Sequence, residues 1–256
     1  MGRQSTQWAE TSHCRVAGVR RFGTFALVDL IAKEVATVAA PGQFVMVTVP
    51  GGGHLLRRPL SLHAVHGDRV SLLVEARGGG SERLVEVEVG DGVDLAGPLG
   101  NGFPLRAASG ALLIGGGIGC APLQFLSDAL GAAGARMTAA FGFRDYRAAR
   151  LADAFAIEDL HVATEDGSVG RRGTVLDLLG GLDVSPATVV YACGPTAMLG
   201  AVQCWAAAMR LRGYASLEAH MACGTGSCHG CVIETARGRL RVCAEGPVFP
   251  LDELRP

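Results

Sequence analysis

The chain has no run of 18 consecutive apolar residues, so no segment can form an ordinary transmembrane helix. It has no excess of charge either. The 23 Lys and Arg stand against 24 Asp and Glu, a net charge of −1, which argues against nucleic acid or a membrane surface as partner. The N-terminus is polar and lacks the apolar core of a secretory signal, so a cytoplasmic protein is expected. Met1-Gly2 with Thr6 fits the acylation pattern only loosely. There is no internal repeat and no G-x-G-x-x-G fingerprint. Eight cysteines in 256 residues are too few for a small disulfide scaffold, while 49% apolar residues are enough for a sizeable core.

Four of those cysteines fall close together. Cys223, Cys228 and Cys231 follow a C-x4-C-x2-C spacing, and Cys243 lies eleven residues beyond the third. Four thiolates at this first spacing suit a 2Fe–2S cluster of the plant-ferredoxin kind. Gly224, Gly226 and Gly230 lack a Cβ, so the loop can wrap closely and aim N–H groups at anionic sulfur. A four-cysteine zinc site is the alternative, but zinc ribbons use paired short C-x2-4-C units, and only Cys228 and Cys231 form one here. The fourth cysteine comes much sooner than in a plant-type ferredoxin, so this is not an ordinary ferredoxin domain.

Along the chain, alternating apolar segments at Cys14–Val19, Thr24–Leu30, Gln43–Val49, Leu60–Val65, Arg69–Ala76 and Val93–Ala96 read as strands. Residues 1–104 are therefore expected to form an antiparallel β-barrel, with one short helix near Ser81. After Pro104 the pattern changes. Strands at Ala111–Ile114, Met137–Phe143, Leu160–Thr164 and Thr188–Ala192 alternate with helical stretches at Ala121–Ala133, Arg147–Ala154, Thr174–Gly180 and Pro195–Arg212. That alternation predicts an α/β domain with a parallel sheet over residues 105–215. Residues 216–256 form a small C-terminal cysteine module.

Several loops fit phosphate groups. Arg57-Arg58-Pro59-Leu60-Ser61 at a strand entry can place a cation by a phosphate and a hydroxyl by a ring edge, although surface arginines beside a proline are common. Gly78-Gly79-Gly80-Ser81 feeds a helix start, where free N–H groups favour an anion, although Ser81 can equally be a helix cap. Gly115-Gly116-Gly117-Ile118-Gly119 follows a buried strand and opens a helix, a second phosphate cradle or else a close strand–helix turn with no ligand. Cys193-Gly194-Pro195 closes the fourth strand at the sheet edge where ligands bind, and Cys193 is a candidate neighbour of a nicotinamide or else a small buried hydrophobe. Asp145 could accept from a ribose 2′-OH, while Arg144 could meet a 2′-phosphate. Thr164–Ser168 is a polar loop at the same edge, more simply a solvated turn. Core packing is the default for Cys14, Cys120 and Cys204.

In this order, the motifs resemble the electron-transfer subunits of NAD-dependent dihydroorotate dehydrogenases, within the ferredoxin–NADP reductase superfamily. The resemblance covers nearly the whole chain. Arg58-Pro59-Leu60-Ser61 is similar to the family's flavin motif, and Leu73-Val74-Glu75 with Gly80-Ser81 to its further FAD contacts, with Ser81 where many relatives have Thr. Leu60 replaces the aromatic residue common in other ferredoxin reductases. Gly97–Phe103 resembles the barrel closure, Gly115–Pro122 and Cys193–Met198 the pyridine-nucleotide loops, and Met221–Cys231 with Cys243–Phe249 the cluster module, where the short gap before Cys243 is normal. The resemblance implies FAD, a 2Fe–2S cluster and NAD as cofactors, and an FMN-containing catalytic partner in a heterotetramer of pyrimidine biosynthesis. Electrons from dihydroorotate would cross the cluster singly and leave as hydride from FAD to NAD+, because flavin handles both one and two electrons. Relatives of the same chemistry serve ferredoxin–NAD(P) transhydrogenases, sulfide dehydrogenases and hydrogenases. A zinc-bearing regulatory protein without redox turnover is the reading from a different class.

Overall fold

The computed structural model describes residues 11–106 and 110–255; Met1, Gly2 and Thr6, and with them the acylation pattern, lie outside the described residues. β1 (Thr11–Phe22), β2 (Phe25–Ile31), β3 (Phe44–Val47), β4 (Arg58–His66), β5 (Arg69–Glu75) and β6 (Gly92–Leu99) close a barrel in the order β1-β2-β5-β4-β3-β6. All of its pairs are antiparallel. Closure leaves no free edge for another chain to pair with. The alternation seen in the sequence points Val16, Val28, Val45, Leu62, Leu72 and Leu95 into one interior. α1 (Lys33–Val38) and α2 (Gly79–Val85) cover the barrel. The sequence pattern finds α2 and misses α1, which is six residues long and buries only Val35, too little for a helical stripe to show.

The second unit holds β7 (Ala111–Gly116), α3 (Leu123–Ala132), β8 (Met137–Phe143), α4 (Tyr146–Ala149), β9 (Leu160–Thr164), β10 (Arg171–Arg172), α5 (Val175–Leu179), β11 (Val189–Cys193), α6 (Thr196–Ala208) and β12 (Arg212–Ser216). β13 (Val232–Thr235) and β14 (Gly238–Arg241) form a separate hairpin, and β15 (Val248–Pro250) follows. The large sheet runs β10-β9-β8-β7-β11-β12-β15, parallel except for β15 against β12. Central β7 is buried along its whole length, as a parallel strand covered on both faces must be.

Two departures from the sequence reading concern the site. α6 ends at Ala208 rather than near Arg212, because Arg210 turns into the left-handed region at φ 56°. The residues after it become β12. Its Gly213 is pressed so closely that an added Cβ would stand 2.5 Å from Leu251 Cδ1 and 2.7 Å from Val190 O, so packing rather than an apolar run defines this strand. The C-terminal segment is likewise not self-contained, since β15 completes the sheet of the preceding unit.

His63 joins the two units. A register shift in the β4–β5 ladder between Leu62 and Ala64 sets it out of the pairing. Its Nδ1 lies 2.7 Å from Ala121 O at the entry to α3, and its Nε2 3.2 Å from Ala154 O. Burial pushes its pKa down, so the ring is neutral and can donate to only one of these carbonyls. The flavin-motif strand is thereby tied to the turn that follows Gly115–Gly119.

Candidate functional site

Where the units meet, an open cavity spans about 1030 Å³ including its mouth. Its walls contain Arg58, Pro59, Leu60 and Ser61 from β4, Leu73, Val74 and Glu75 from β5, and Ser81 from α2. Ile118 and Cys193 reach it from the parallel sheet, and Met221 and Pro247 from either side of the cysteine module. Eight residues proposed for the flavin thus face one space. Gly80 lies beneath them: a Cβ there would fall 2.3 Å from Arg58 Nη2, so glycine lets the guanidinium lie flat on the helix entry. The Ser81 hydroxyl accepts from Arg77 N at 2.9 Å and Gly78 N at 3.2 Å, so it braces the loop as well as lining the cavity. A cation over a glycine cradle, facing an apolar wall of Leu60, Leu73 and Val74, fits a ring-bearing diphosphate such as FAD.

The two proposed nucleotide loops touch. A Cβ on Gly119 would stand 2.5 Å from Gly194 Cα, and one on Gly116 would stand 2.5 Å from Met198 Sδ and 2.9 Å from Pro195 Cδ. Gly115 abuts Cys120 and Phe141, whereas Gly117 faces open space at φ 53°. The loops are 75 residues apart, from Gly119 to Gly194, yet form one backbone floor beside the cavity. Cys193 is 2% exposed. Burial holds its thiol protonated far above the ordinary range, which suits a neutral packing partner of a ring and not a nucleophile.

Asp145 also has a structural role. Its Oδ1 accepts from Ala148 N at 2.9 Å as the cap of α4, and its Oδ2 meets Arg144 Nε at 3.1 Å. The polar loop at Thr164–Ser168 closes on itself, with Asp166 accepting from the Ser168 backbone and hydroxyl. Cys204 is exposed on α6, contrary to the core role expected of it, while Cys14 and Cys120 are buried.

Glu218 escaped the sequence reading. It follows the C-terminal end of β12, whose Ser216 pairs with Cys193 in register, and it lines the cavity. It is open to solvent through the mouth, yet its carboxyl is raised above the usual range. Desolvation by the surrounding protein is the main cause; Arg77 opposes it and Glu75 reinforces it. In the sequence its only mark is an acidic residue after a segment, Arg212–Ser216, that has no apolar run. A raised carboxyl keeps its proton to higher pH and loses it as pH rises. Flavin reduction by NADH should therefore show an ionisation above the carboxylate range that Glu218→Gln abolishes. An unchanged pH profile in that variant would exclude Glu218 from proton handling.

The four cysteine sulfurs lie under backbone donors. Cys223 Sγ accepts from Thr225 N and Cys228 N, both at 3.4 Å, and Cys228 Sγ from Gly230 N at 3.5 Å. Cys231 Sγ accepts from Cys243 N at 3.4 Å, and Cys243 Sγ from Gly226 N at 3.1 Å. Cys231 and Cys243 are buried with sulfurs 3.2 Å apart. Burial opposes ionisation of Cys223, but the Cys228 and Thr225 N–H groups outweigh it and bring the thiol down to about 6. Among the described residues, no three His, Cys, Asp or Glu side chains converge as a single ion requires. Anion-seeking N–H groups around every sulfur fit a sulfide-bridged iron cluster. The loop is also pressed on the barrel, since a Cβ on Gly224 would stand 2.5 Å from Met46 Cγ.

Barrel, parallel sheet and cysteine module together define a class: flavin- and pyridine-nucleotide-linked electron-transfer oxidoreductases of the ferredoxin–NADP reductase type. A solved structure of NADH-dependent reduced ferredoxin–NADP oxidoreductase aligns with a TM-score of 0.81 at 25% identity, over 94% of this chain and 89% of that one. Residues 218–255 match the family model for the iron–sulfur cluster binding domain of dihydroorotate dehydrogenase B. The chain is 40% identical over 243 residues to the dihydroorotate dehydrogenase B (NAD(+)) electron transfer subunit of Shouchella clausii, covering 88% of this chain and 90% of that one. With the subunit of the same name from Bacillus caldolyticus it shares 40% over 240 residues, 89% of this chain and 91% of that one. The chain belongs to the family of dihydroorotate dehydrogenase B electron transfer subunits.

Among the described residues, no helix is long and apolar enough to cross a membrane.

Proposed function

We propose that this chain takes electrons from the FMN of a dihydroorotate-oxidising catalytic subunit and delivers them to NAD+, as half of a cytoplasmic heterotetramer in pyrimidine biosynthesis. The observation that carries this reading is the shared cavity. Residues from the flavin-motif strand, the pyridine-nucleotide loops and both flanks of the cysteine cluster line one space.

In this reading Arg58 and the Gly78–Ser81 loop hold the diphosphate of FAD, and Leu60, Leu73, Val74 and Glu75 receive its ring and ribityl chain. Gly115–Gly119 and Gly194-Pro195 seat the NAD diphosphate, with Cys193 beside the nicotinamide. Cys223, Cys228, Cys231 and Cys243 hold the 2Fe–2S cluster. Bound FAD supplies both one-electron and two-electron chemistry. The chain's own residues orient and insulate. The apolar β4 and β5 walls exclude water from the ring site. The Glu218 carboxyl, raised above its ordinary value, stands at the mouth, and Met221 and Pro247 connect the cluster loop to the cavity wall.

Mixing the purified chain with an FMN-bearing catalytic subunit should give NAD+-dependent dihydroorotate oxidation that neither part has alone. If the mixture stays inactive while the chain oxidises NADH with oxidised ferredoxin-type proteins as electron acceptors, the partner is of the transhydrogenase kind. The similarity to the ferredoxin–NADP oxidoreductase keeps that outcome in view.

A further inference from the structure

Cys243 sits in a tight turn that is fastened from both ends. Arg241, two residues before it, donates Nε to Glu245 Oε2 at 3.1 Å and also pairs through Nη2 with Glu245 Oε1, two residues after it. The Arg241 backbone N–H donates to the same carboxylate at 2.7 Å. The Arg241 carbonyl accepts from Ala244 N at 3.2 Å and Glu245 N at 2.9 Å, so the five residues close into one loop. Asn101 of the barrel closure donates Nδ2 to Ala244 O at 3.1 Å and Glu245 O at 2.9 Å, fixing the turn against the barrel.

The same guanidinium reaches across to the first cysteine loop. Arg241 Nη1 donates to Gly226 O at 2.8 Å, and Gly226 N is the group that donates to Cys243 Sγ at 3.1 Å. A Cβ on Gly226 would stand 3.0 Å from Ala244 Cβ and 3.2 Å from Nη1, so glycine at φ 84° lets the two loops meet. Arg241 thus aims the N–H that reaches the sulfur. It also brings a full positive charge to the buried cysteine pair, and Glu245 cancels that charge. Both side chains are about one-third exposed, at 32% and 34%.

We infer that Arg241 and Glu245 are positioning residues that brace Gly226 N–H on the Cys243 sulfur and, as a charge-balanced pair, set the reduction potential of the cluster. The inference rests on the proposed cluster site. Reduction adds one negative charge to the cluster. An unpaired cation beside it favours the reduced form and an unpaired anion disfavours it, with attenuation because the pair is partly solvated.

The test is an anaerobic redox titration of the full holo chain, followed by the electron paramagnetic resonance of the reduced cluster, with iron and flavin content measured first. Glu245→Gln leaves Arg241 unbalanced and should raise the potential, by about tenfold in the reduced-to-oxidised ratio at fixed ambient potential, or ~59 mV for one electron. Arg241→Gln leaves Glu245 unbalanced and should lower it by a similar amount. The double variant should return close to the wild-type value, and both single shifts should shrink with added salt. Single variants that keep full iron and an unchanged potential overturn the inference. So do shifts of the same sign in both, which are the mark of a loosened loop. If Glu245→Gln fails to load iron, the sign of the Arg241→Gln shift decides. A wild-type chain that binds flavin but no iron removes the underlying cluster reading, and shows it before any titration.

Discussion

Cys243→Ser is expected to strip the iron–sulfur absorbance from the chain and to reduce electron transfer from the catalytic partner to NAD+ by more than ~100-fold, beyond the 10–100-fold typical of changes around a metal's ligands. Cys243 is buried, lies 3.2 Å from Cys231 Sγ and receives the Gly226 N–H, so serine leaves a donor and a neighbouring thiol without the sulfur they face. Cys228→Ser should also lose the cluster, but from the exposed rim. The effect on flavin separates the two. The cavity contains Pro247, four residues beyond Cys243, and Met221, two before Cys223, so cluster and flavin sites share a wall. The rim variant should keep its flavin, whereas the buried variant should keep most of it with looser retention. Absorbance at flavin wavelengths after gel filtration, set against iron content, measures both. Iron retained in Cys243→Ser would remove Cys243 from the ligand set.

The second large effect is expected at Gly119→Val. The added Cβ would meet Gly194 Cα at 2.5 Å, and that obstacle is backbone that cannot rotate away. The two nucleotide loops must separate. Overpacking of this kind costs about 1–3 kcal/mol, which corresponds to roughly 5–150-fold in NADH-driven flavin reduction. Flavin and iron should stay at wild-type levels, because the clash lies on the parallel-sheet side of the cavity. Unchanged NADH kinetics in a folded Gly119→Val chain would take the pyridine nucleotide away from these loops.

The barrel and parallel strands were legible because their apolar residues follow the periods that burial imposes. β8 and β9 match the expected spans, and β7 reads as a buried parallel strand. The iron–sulfur module was legible for a different reason: cysteine spacing is a local property of the chain. What the sequence hides is made by contacts between distant segments. β12 owes its place to Gly213 fitting under Leu251 and Val190, and β15 joins the sheet from within the cysteine module. Glu218 follows a strand that carries no apolar signature, so nothing marked it as a cavity residue. Asp145, placed after β8 as a ribose candidate, also caps α4 and pairs with Arg144, contacts that its position in the sequence does not reveal. The His63 tie between barrel and α3 and the Arg241–Glu245 brace likewise depend on partners that only the folded chain brings close.

The most direct test of the electron path is an anaerobic visible spectrum of the complex between this chain and its catalytic subunit, before and after dihydroorotate and then after NAD+. Bleaching of flavin and iron–sulfur bands by dihydroorotate, reversed by NAD+, is the predicted result. Bleaching by NADH but not by dihydroorotate, with the partner active on its own, would contradict the pyrimidine assignment and leave only the flavin and cluster reductase. Absence of both chromophores from intact protein would contradict the account as a whole.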